Sequence, residues 1–303
     1  MKSSIRFIIH FALLIVSLIY GANYSILKVL IPEYMPAFGF IFYRILAASI
    51  LFWLLSSGNK EKVNWKKDGG RLVLCALFGV ATNQLLFFKG VSITSAINGS
   101  IIMTLTPVFV FILSAILLNE KITKTKIVGL IVAFVGALSI IYQPETVDIT
   151  VGNWVGDVLV LLNALSYGTY LVLVKPLMGK YSPLTVTRWV FSIGFILATP
   201  VSIQEALTVD WSTFEPEAWW SGIYVILGVT VIAYLVNAWS MKRVNPTLVG
   251  IYIYLQPVFA SLIAVTFFQE DLTMLHILSA LLVFSGIYLV SFKKRRFHRK
   301  SRS

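Results

Sequence analysis

Apolar positions in this chain run on for roughly 20 residues at a time, broken by short polar segments, and do not alternate with period two. Such a run satisfies its own backbone hydrogen bonds as an α-helix and is long enough to cross about 30 Å of hydrocarbon. A membrane β-barrel would instead alternate apolar and polar positions. Ten stretches of this kind are predicted, over residues 7–28, 36–57, 72–90, 96–118, 126–142, 154–174, 184–203, 219–241, 246–268 and 273–292; the fifth is the shortest.

The pattern also repeats. Tyr20, Gly21, Lys28 and Pro36 return 147 residues later as Tyr167, Gly168, Lys175 and Pro183. Pro107-Val108-Phe109, Glu120 and Gly136 return 150 residues later as Pro257-Val258-Phe259, Glu270 and Gly286. Each copy holds five stretches, and an odd number turns the second copy upside down relative to the first, an arrangement found in secondary transporters. The expected fold is therefore an all-α membrane protein with ten transmembrane helices in two inverted five-helix repeats and both termini cytoplasmic. The expected boundaries are 6–142 for the first repeat, 143–153 for an outer linker, 154–292 for the second repeat and 293–303 for a basic tail.

Composition agrees with a lipid solvent: 58% of the 303 residues are hydrophobic and 13% are charged. The charges then orient the chain. With the N-terminus inside, the inner segments collect 22 of the 25 Lys and Arg residues but only Glu61, Asp68 and Glu120 among the acids. The outer loops hold Glu33, Glu145, Asp148, Glu205, Asp210, Glu215, Glu217, Glu270 and Asp271 against Lys28 and Lys89. The positive-inside rule thus selects a multi-pass protein of the plasma (inner) membrane, N-in and C-in. Arg44 and Asp157 are the charges left within the spans.

Net charge +12 and the tail Lys293-Lys294-Arg295-Arg296 raise the question of nucleic acid, but basic residues just inside a last span fix topology and touch anionic lipid. The expected partners are a small-molecule substrate and the bilayer, with no nucleic acid; the oligomeric state is left open. The first apolar run is longer than a signal-peptide core and belongs to the repeat, so it is expected to remain as a span. The lone Cys75 makes an intrachain disulfide impossible, and His10, His276 and His298 lie far apart. Neither a metal site nor another cofactor is expected, and the chain shows no phosphate-binding P-loop. A membrane-embedded enzyme would need clustered acids, histidines or a nucleophile, so no catalytic residue is assigned. A channel or structural subunit is the alternative to a carrier.

The Leu-x-Pro-Val-Phe runs place Pro107 and Pro257 deep in the fourth and ninth spans. A proline there removes an amide donor and frees the carbonyl four residues back, on Met103 and Ile253, so each helix is expected to kink, either for packing or as a hinge. Glu120 and Glu270 follow thirteen residues later, roughly 20 Å along the helix, at opposite membrane faces. Each is either an interfacial charge ending a span or a gate contact to a basic residue of a neighbouring helix.

These features resemble the drug/metabolite transporter superfamily, and within it the EamA family of ten-span carriers with two tandem domains. The likeness rests on Tyr20-Gly21 and Tyr167-Gly168, Pro36 with Arg44, Pro183 with Arg188, Thr94-Ser95-Ala96, the two Pro-to-Glu segments, and Gly129, Gly136 and Gly286. Arg188 follows its proline by five residues and Arg44 by eight, so the two are not strict equivalents. The resemblance implies that spans one, three, four, six, eight and nine line a central cavity.

An inverted-repeat carrier binds its cargo near the midplane, and polar groups in hydrocarbon turn towards an interior. The expected lining is Tyr20, Asn23 and Tyr24 from span one, Asn83 and Gln84 from span three, and Ser100 and Thr104 from span four. The second copy adds Asn163, Tyr167, Tyr170, Tyr234, Asn237, Tyr252, Tyr254 and Gln256. Tyr20 with Asn23, Ser100 with Thr104, Asn163 with Tyr167 and Tyr170, and Tyr252 with Gln256 have the spacing of one helix face. Tyrosines and amides with few charges suit a zwitterion or neutral metabolite, an amino acid or related compound, and the expected function is its export by alternating access. Arg44, eight residues from a loop, either attracts an anionic group, snorkels to the interface or caps a helix. Asp157 and His10 are read as helix-end groups, with proton coupling the other reading.

Overall fold

The computed structural model describes residues 3–118, 124–141, 153–241, 252–253 and 255–291. Glu120, Tyr254, most of the expected linker and the basic tail lie outside the described residues. Among the described residues the regular elements are helices: α1 (Ser3–Leu30), α2 (Ala37–Leu55), α3 (Trp65–Ala76), α4 (Thr82–Ile93), α5 (Ala96–Met103), α6 (Thr106–Leu118) and α7 (Lys124–Ile141). They continue with α8 (Asn153–Lys180), α9 (Pro183–Ala206), α10 (Pro216–Ile223), α11 (Ala233–Met241), α12 (Gln256–Phe268) and α13 (Met274–Ser291). A π-helical segment, Leu77–Ala81, fuses α3 to α4, and another, Tyr224–Ile232, fuses α10 to α11.

Among the described residues, seven stretches are long and apolar enough to cross a membrane: Phe7–Leu30, Ala37–Leu55, Trp65–Ile93, Ala96–Leu113, Trp154–Lys180, Pro183–Ala206 and Pro216–Asn237. Three shorter apolar helices, Ile127–Gly136, Gln256–Phe268 and Met274–Gly286, accompany them. The side chains are sorted opposite to those of a water-soluble protein. Phe7 and Ile196 are 71% and 69% exposed, whereas Asn163 and Asp157 are 1% and 2% exposed. An apolar exterior around a partly polar interior is stable only where the surroundings are hydrocarbon.

Local chemistry explains where the helices start. Asn64 caps α3 by accepting from the Lys67 amide at 3.2 Å, so this helix begins at Trp65, ahead of the apolar stretch that starts at residue 72. The first turn of α2 has no side-chain cap of its own; Glu205, at the end of α9, accepts from the Phe38 and Gly39 amides at 2.8 and 3.3 Å. Glu61, beyond the end of α2, accepts from the Ser182 amide at 2.9 Å, just before α9. Each of these two packed helices thus receives a carboxylate at its positive end, α2 from the last turn of α9 and α9 from the segment after α2.

The two prolines do not kink continuous helices as expected. The fourth apolar stretch breaks at Thr104-Leu105, where tighter hydrogen bonds run from the Thr104 amide to Ile101 and from the Leu105 amide to Ile102. Pro107 then occupies the first turn of α6, and Pro257 the first turn of α12. A missing amide is tolerated there because first-turn amides have no intrahelical partner.

Helix α1 packs on α12 and α8 on α6. The contacts involve matched residues. A Cβ on Gly21 would lie 2.6 Å from the Phe259 Cβ, and one on Gly168 would lie 3.0 Å from the Phe109 Cβ. Helices α7 and α13 pack through Gly136 and a Ser139–Ser279 hydroxyl contact of 2.7 Å. The π segments begin at Leu77 and Tyr224, separated by the same 147 positions as Tyr20 and Tyr167.

Candidate functional site

Residues from both halves of the sequence meet where α1, α2, α4, α8, α9 and α11 converge. The Asn237 side-chain amide donates to the Tyr20 hydroxyl at 3.3 Å, and the Gln84 amide reaches the Tyr234 hydroxyl at 3.4 Å. The Tyr167 and Tyr170 rings stack at 5.9 Å, and Tyr20 lies within electrostatic range of Tyr167, Tyr234 and Arg44. A narrow cleft beside this cluster is lined by Tyr167, Tyr170, Leu171, Met178, Thr187, Tyr234 and Asn237.

The π segments help to build the cluster. A Cβ on Gly79 would fall 2.3 Å from the Tyr170 ring, so the bulged, side-chain-free position makes room for that tyrosine. In the second π segment Thr230 donates its hydroxyl to the Val225 carbonyl five residues back at 2.8 Å, and its oxygen accepts from Arg44 Nε at 2.7 Å. The Arg44 guanidinium carbon stands 4.6 Å from the centroid of the Phe88 ring. Arg44 is 3% exposed with its Nε held by Thr230, so it neither snorkels to an interface nor caps a helix end.

The other expected residues divide. The Asn163 side-chain amide donates to the Asn83 carbonyl at 2.7 Å, tying α8 to α4, while its own carbonyl oxygen is buried without a partner. Asn23 is buried, and its side-chain oxygen is likewise unpartnered. Ser100 and Thr104 are buried, but they donate back to their own helix, to Ile97 and Ile101, at 2.7 and 2.6 Å. Tyr24 packs edge-on to Phe87. Tyr252 is drawn away to His10 at 2.6 Å, and its carbonyl accepts from Ser17. Gln256 is buried in the first turn of α12, where its backbone carbonyl faces Gly21.

A second polar chain includes residues that sequence patterns did not single out. Asp157, 2% exposed, accepts from the Thr94 hydroxyl and from Asn98 Nδ2, the latter at 3.3 Å. The Asn98 carbonyl oxygen meets His276 Nε2 at 3.1 Å, and His276 Nδ1 accepts from the Thr273 amide at 3.1 Å. That second contact leaves Nε2 as the ring donor in the neutral tautomer. Asp157 is thus a buried, hydrogen-bonded group in the second turn of α8 rather than an interfacial helix-start charge.

Glu270 has a basic partner on a neighbouring helix. It pairs with Lys28 at 3.3 Å and accepts from the Ala96 and Ile97 amides at the start of α5, at 3.2 and 3.4 Å. Farther along, Lys180 and Tyr181 hold Asp68 at 2.6 and 2.8 Å. Glu61, outside the spans, has its pKa lowered: burial opposes its ionised form, but hydrogen bonds from Thr185 and Ser182 and the charge of Arg188 outweigh that.

The arrangement brings phenols, amides, aromatic faces and a guanidinium together. The model of the EamA-like transporter family matches this chain twice, over residues 7–142 and 154–292. An uncharacterized transporter of Archaeoglobus fulgidus is 26% identical, over 95% of this chain and 98% of its own length. A probable terminal-alkyne amino-acid exporter of Streptantibioticus cattleyicolor is 24% identical, over 92% of each. A crystal structure aligned at TM-score 0.63 covers 98% of this chain and 100% of its own at 16% identity, a likeness of fold alone.

Proposed function

The chain belongs to the EamA-like transporter family, and from that premise we propose that it is a secondary carrier exporting a small metabolite, an amino acid or a related amphipathic compound. The proposed frame is ten spans in two inverted repeats, 6–142 and 154–292, with both termini cytoplasmic in the plasma membrane. The two matches of one family model, the 147-residue spacing shared by the π segments and the tyrosines, and the paired Gly21–Phe259 and Gly168–Phe109 contacts support it.

One observation carries the functional reading. Tyr20 and Tyr167, which correspond between the two halves, share a cluster with Tyr234, Asn237 and Gln84. A carrier needs a solute site that both halves touch, because relative movement of the halves then exposes that site to each side in turn. Pro107 and Pro257, at the starts of α6 and α12, are the proposed hinges. Amino-acid cargo is favoured by the amide and phenol chemistry and by the exporter named among the relatives. The decisive experiment is flux in proteoliposomes containing the purified chain. Saturable amino-acid movement with counterflow is expected; an unsaturable conductance would sink the carrier reading.

A further inference from the structure

We propose that Arg44 is an anion-binding residue of the central cluster, so that the solute this chain accepts carries a carboxylate. The proposal deepens the carrier reading and rests on it.

Arg44 is enclosed, at 3% exposure, on a helix whose neighbouring buried residues are Ile41, Ile45 and Ala48. A guanidinium has five N–H donors. One, on Nε, is held by Thr230 at 2.7 Å, and Thr230 is itself oriented by donating to Val225. Phe88 covers one guanidinium face. The other four donors find no protein acceptor among the described residues, and no carboxylate there pairs with Arg44; the two ion pairs are Lys28–Glu270 and Lys180–Asp68. Its surroundings include the Tyr20 and Tyr234 phenols.

Arg188 shows what a structural buried arginine looks like in the same bundle. Its terminal nitrogens reach Ser56 Oγ and the Asn59 and Glu61 carbonyls, at 3.3, 3.5 and 3.1 Å, and it stacks over Trp53 at 4.8 Å. Arg44 has the anchor and the stacking ring but lacks that set of acceptors. A buried cation is stable only when partnered, and the planar fork of a guanidinium matches a carboxylate through two parallel hydrogen bonds. The fixed Nε edge leaves the terminal nitrogens as the groups able to receive it. The amides of Gln84 and Asn237, bonded to Tyr234 and Tyr20, are uncharged, so Arg44 sets the charge preference of the site.

The test uses the full chain in nanodiscs, titrated calorimetrically with amino acids and their carboxamides, L-leucine against L-leucinamide and L-phenylalanine against L-phenylalaninamide. In the wild type the acid of at least one pair is expected to bind at least about tenfold tighter than its amide, the scale of one charge-assisted hydrogen bond. Arg44→Gln is expected to bring the pair within about twofold, and Arg44→Lys to keep part of the preference. Thr230→Val, which releases the Nε anchor while leaving the cation in place, is expected to weaken the preference and covers the case in which Arg44→Gln does not fold. Equal binding of acid and amide by the wild type, acid binding to none of the pairs at millimolar concentration, or an unchanged preference in both Arg44→Gln and Thr230→Val would overturn the proposal. Saturable flux without an acid preference would remove the anion site and leave the carrier; an acid preference without saturable flux would do the reverse.

Discussion

Gly21 presses its backbone against Phe259 so closely that an added methyl would stand 2.6 Å from the Phe259 Cβ and 3.1 Å from both the Ala260 nitrogen and the Gln256 carbonyl oxygen. Two of those three obstacles are backbone and cannot rotate away. Gly21→Ala is therefore expected to lower stability by about 1–3 kcal/mol, despite the roughly 0.5–1 kcal/mol that alanine gains in helix propensity. Gly168→Ala meets its nearest atom, the Phe109 Cβ, at 3.0 Å and should be milder. Thermal unfolding in one detergent compares them directly; a larger loss for Gly168→Ala would contradict the packing argument.

The tyrosine and asparagine positions separate binding from folding. Asn237 contributes one long hydrogen bond to Tyr20 and lines the cleft, so Asn237→Leu is expected to weaken or abolish saturable transport with the melting temperature nearly unchanged. Asn163 holds the Asn83 carbonyl at 2.7 Å between α8 and α4, and Asn163→Leu is expected to cost about 1–3 kcal/mol of stability as well. Paired flux and melting measurements check both; equal stability loss in the two variants would erase the distinction.

Ser100 and Thr104 have the spacing of a polar stripe, yet both hydroxyls return to their own helix. Such bonds satisfy the hydroxyl without offering it to a solute. Ser100→Ala and Thr104→Val are therefore expected to keep transport affinity within about twofold of wild type, the scale of a few tenths of a kcal/mol. A tenfold loss of affinity in either variant would return that residue to the solute site.

These cases show how much the sequence could disclose. The long apolar runs predict helices because each residue contributes to the same hydropathy signal, and the recurrence of Tyr20-Gly21 as Tyr167-Gly168 marks residues that occupy corresponding packing positions. Tyr20, Tyr167, Tyr234, Asn237 and Gln84 stand out in the sequence as interior candidates because tyrosine and amides inside apolar runs are costly unless turned inward, and the structure brings them into one cluster. The π segments left no comparable trace, since one extra residue per turn comes from packing around Gly79 and Tyr170 rather than from a local motif. The burial of Arg44, Asp157 and His276 is hard to read from sequence for a related reason: it depends on helix tilt and neighbours, which linear distance from a loop does not encode.

Lys28 and Glu270 join α1 to the segment between α12 and α13, with side chains 32% and 18% exposed. An ion pair that open to its surroundings contributes about 0–1 kcal/mol, so Lys28→Gln should change stability little. Glu270 additionally accepts from two amides at the start of α5, and Glu270→Ala should cost about 1–2 kcal/mol through the lost cap. Glu270→Gln keeps an acceptor for those amides and should fall between them. Unfolding of the three variants under one condition tests the order; a Lys28→Gln loss as large as that of Glu270→Ala would make the ion pair the main contact.

Glu61 gives a pH dependence whose sign is fixed. Its folded-state pKa is lowered because hydrogen bonds from Thr185 and Ser182 and the charge of Arg188 outweigh the burial that opposes ionisation. A depressed carboxyl pKa contributes stability that is fully present above the unfolded value, about 4.3, and is lost as the pH falls through the folded value. Wild type should therefore melt above Glu61→Gln at neutral pH, and the gap should stay constant down to about pH 5 before closing as the carboxyl protonates. The Ser182 cap that Glu61 engages lies immediately before α9, so the loss should appear first as fraying of that helix, read by hydrogen exchange at residues 183–187. A gap that widened with acidification would mean that burial, not hydrogen bonding, governs this carboxyl.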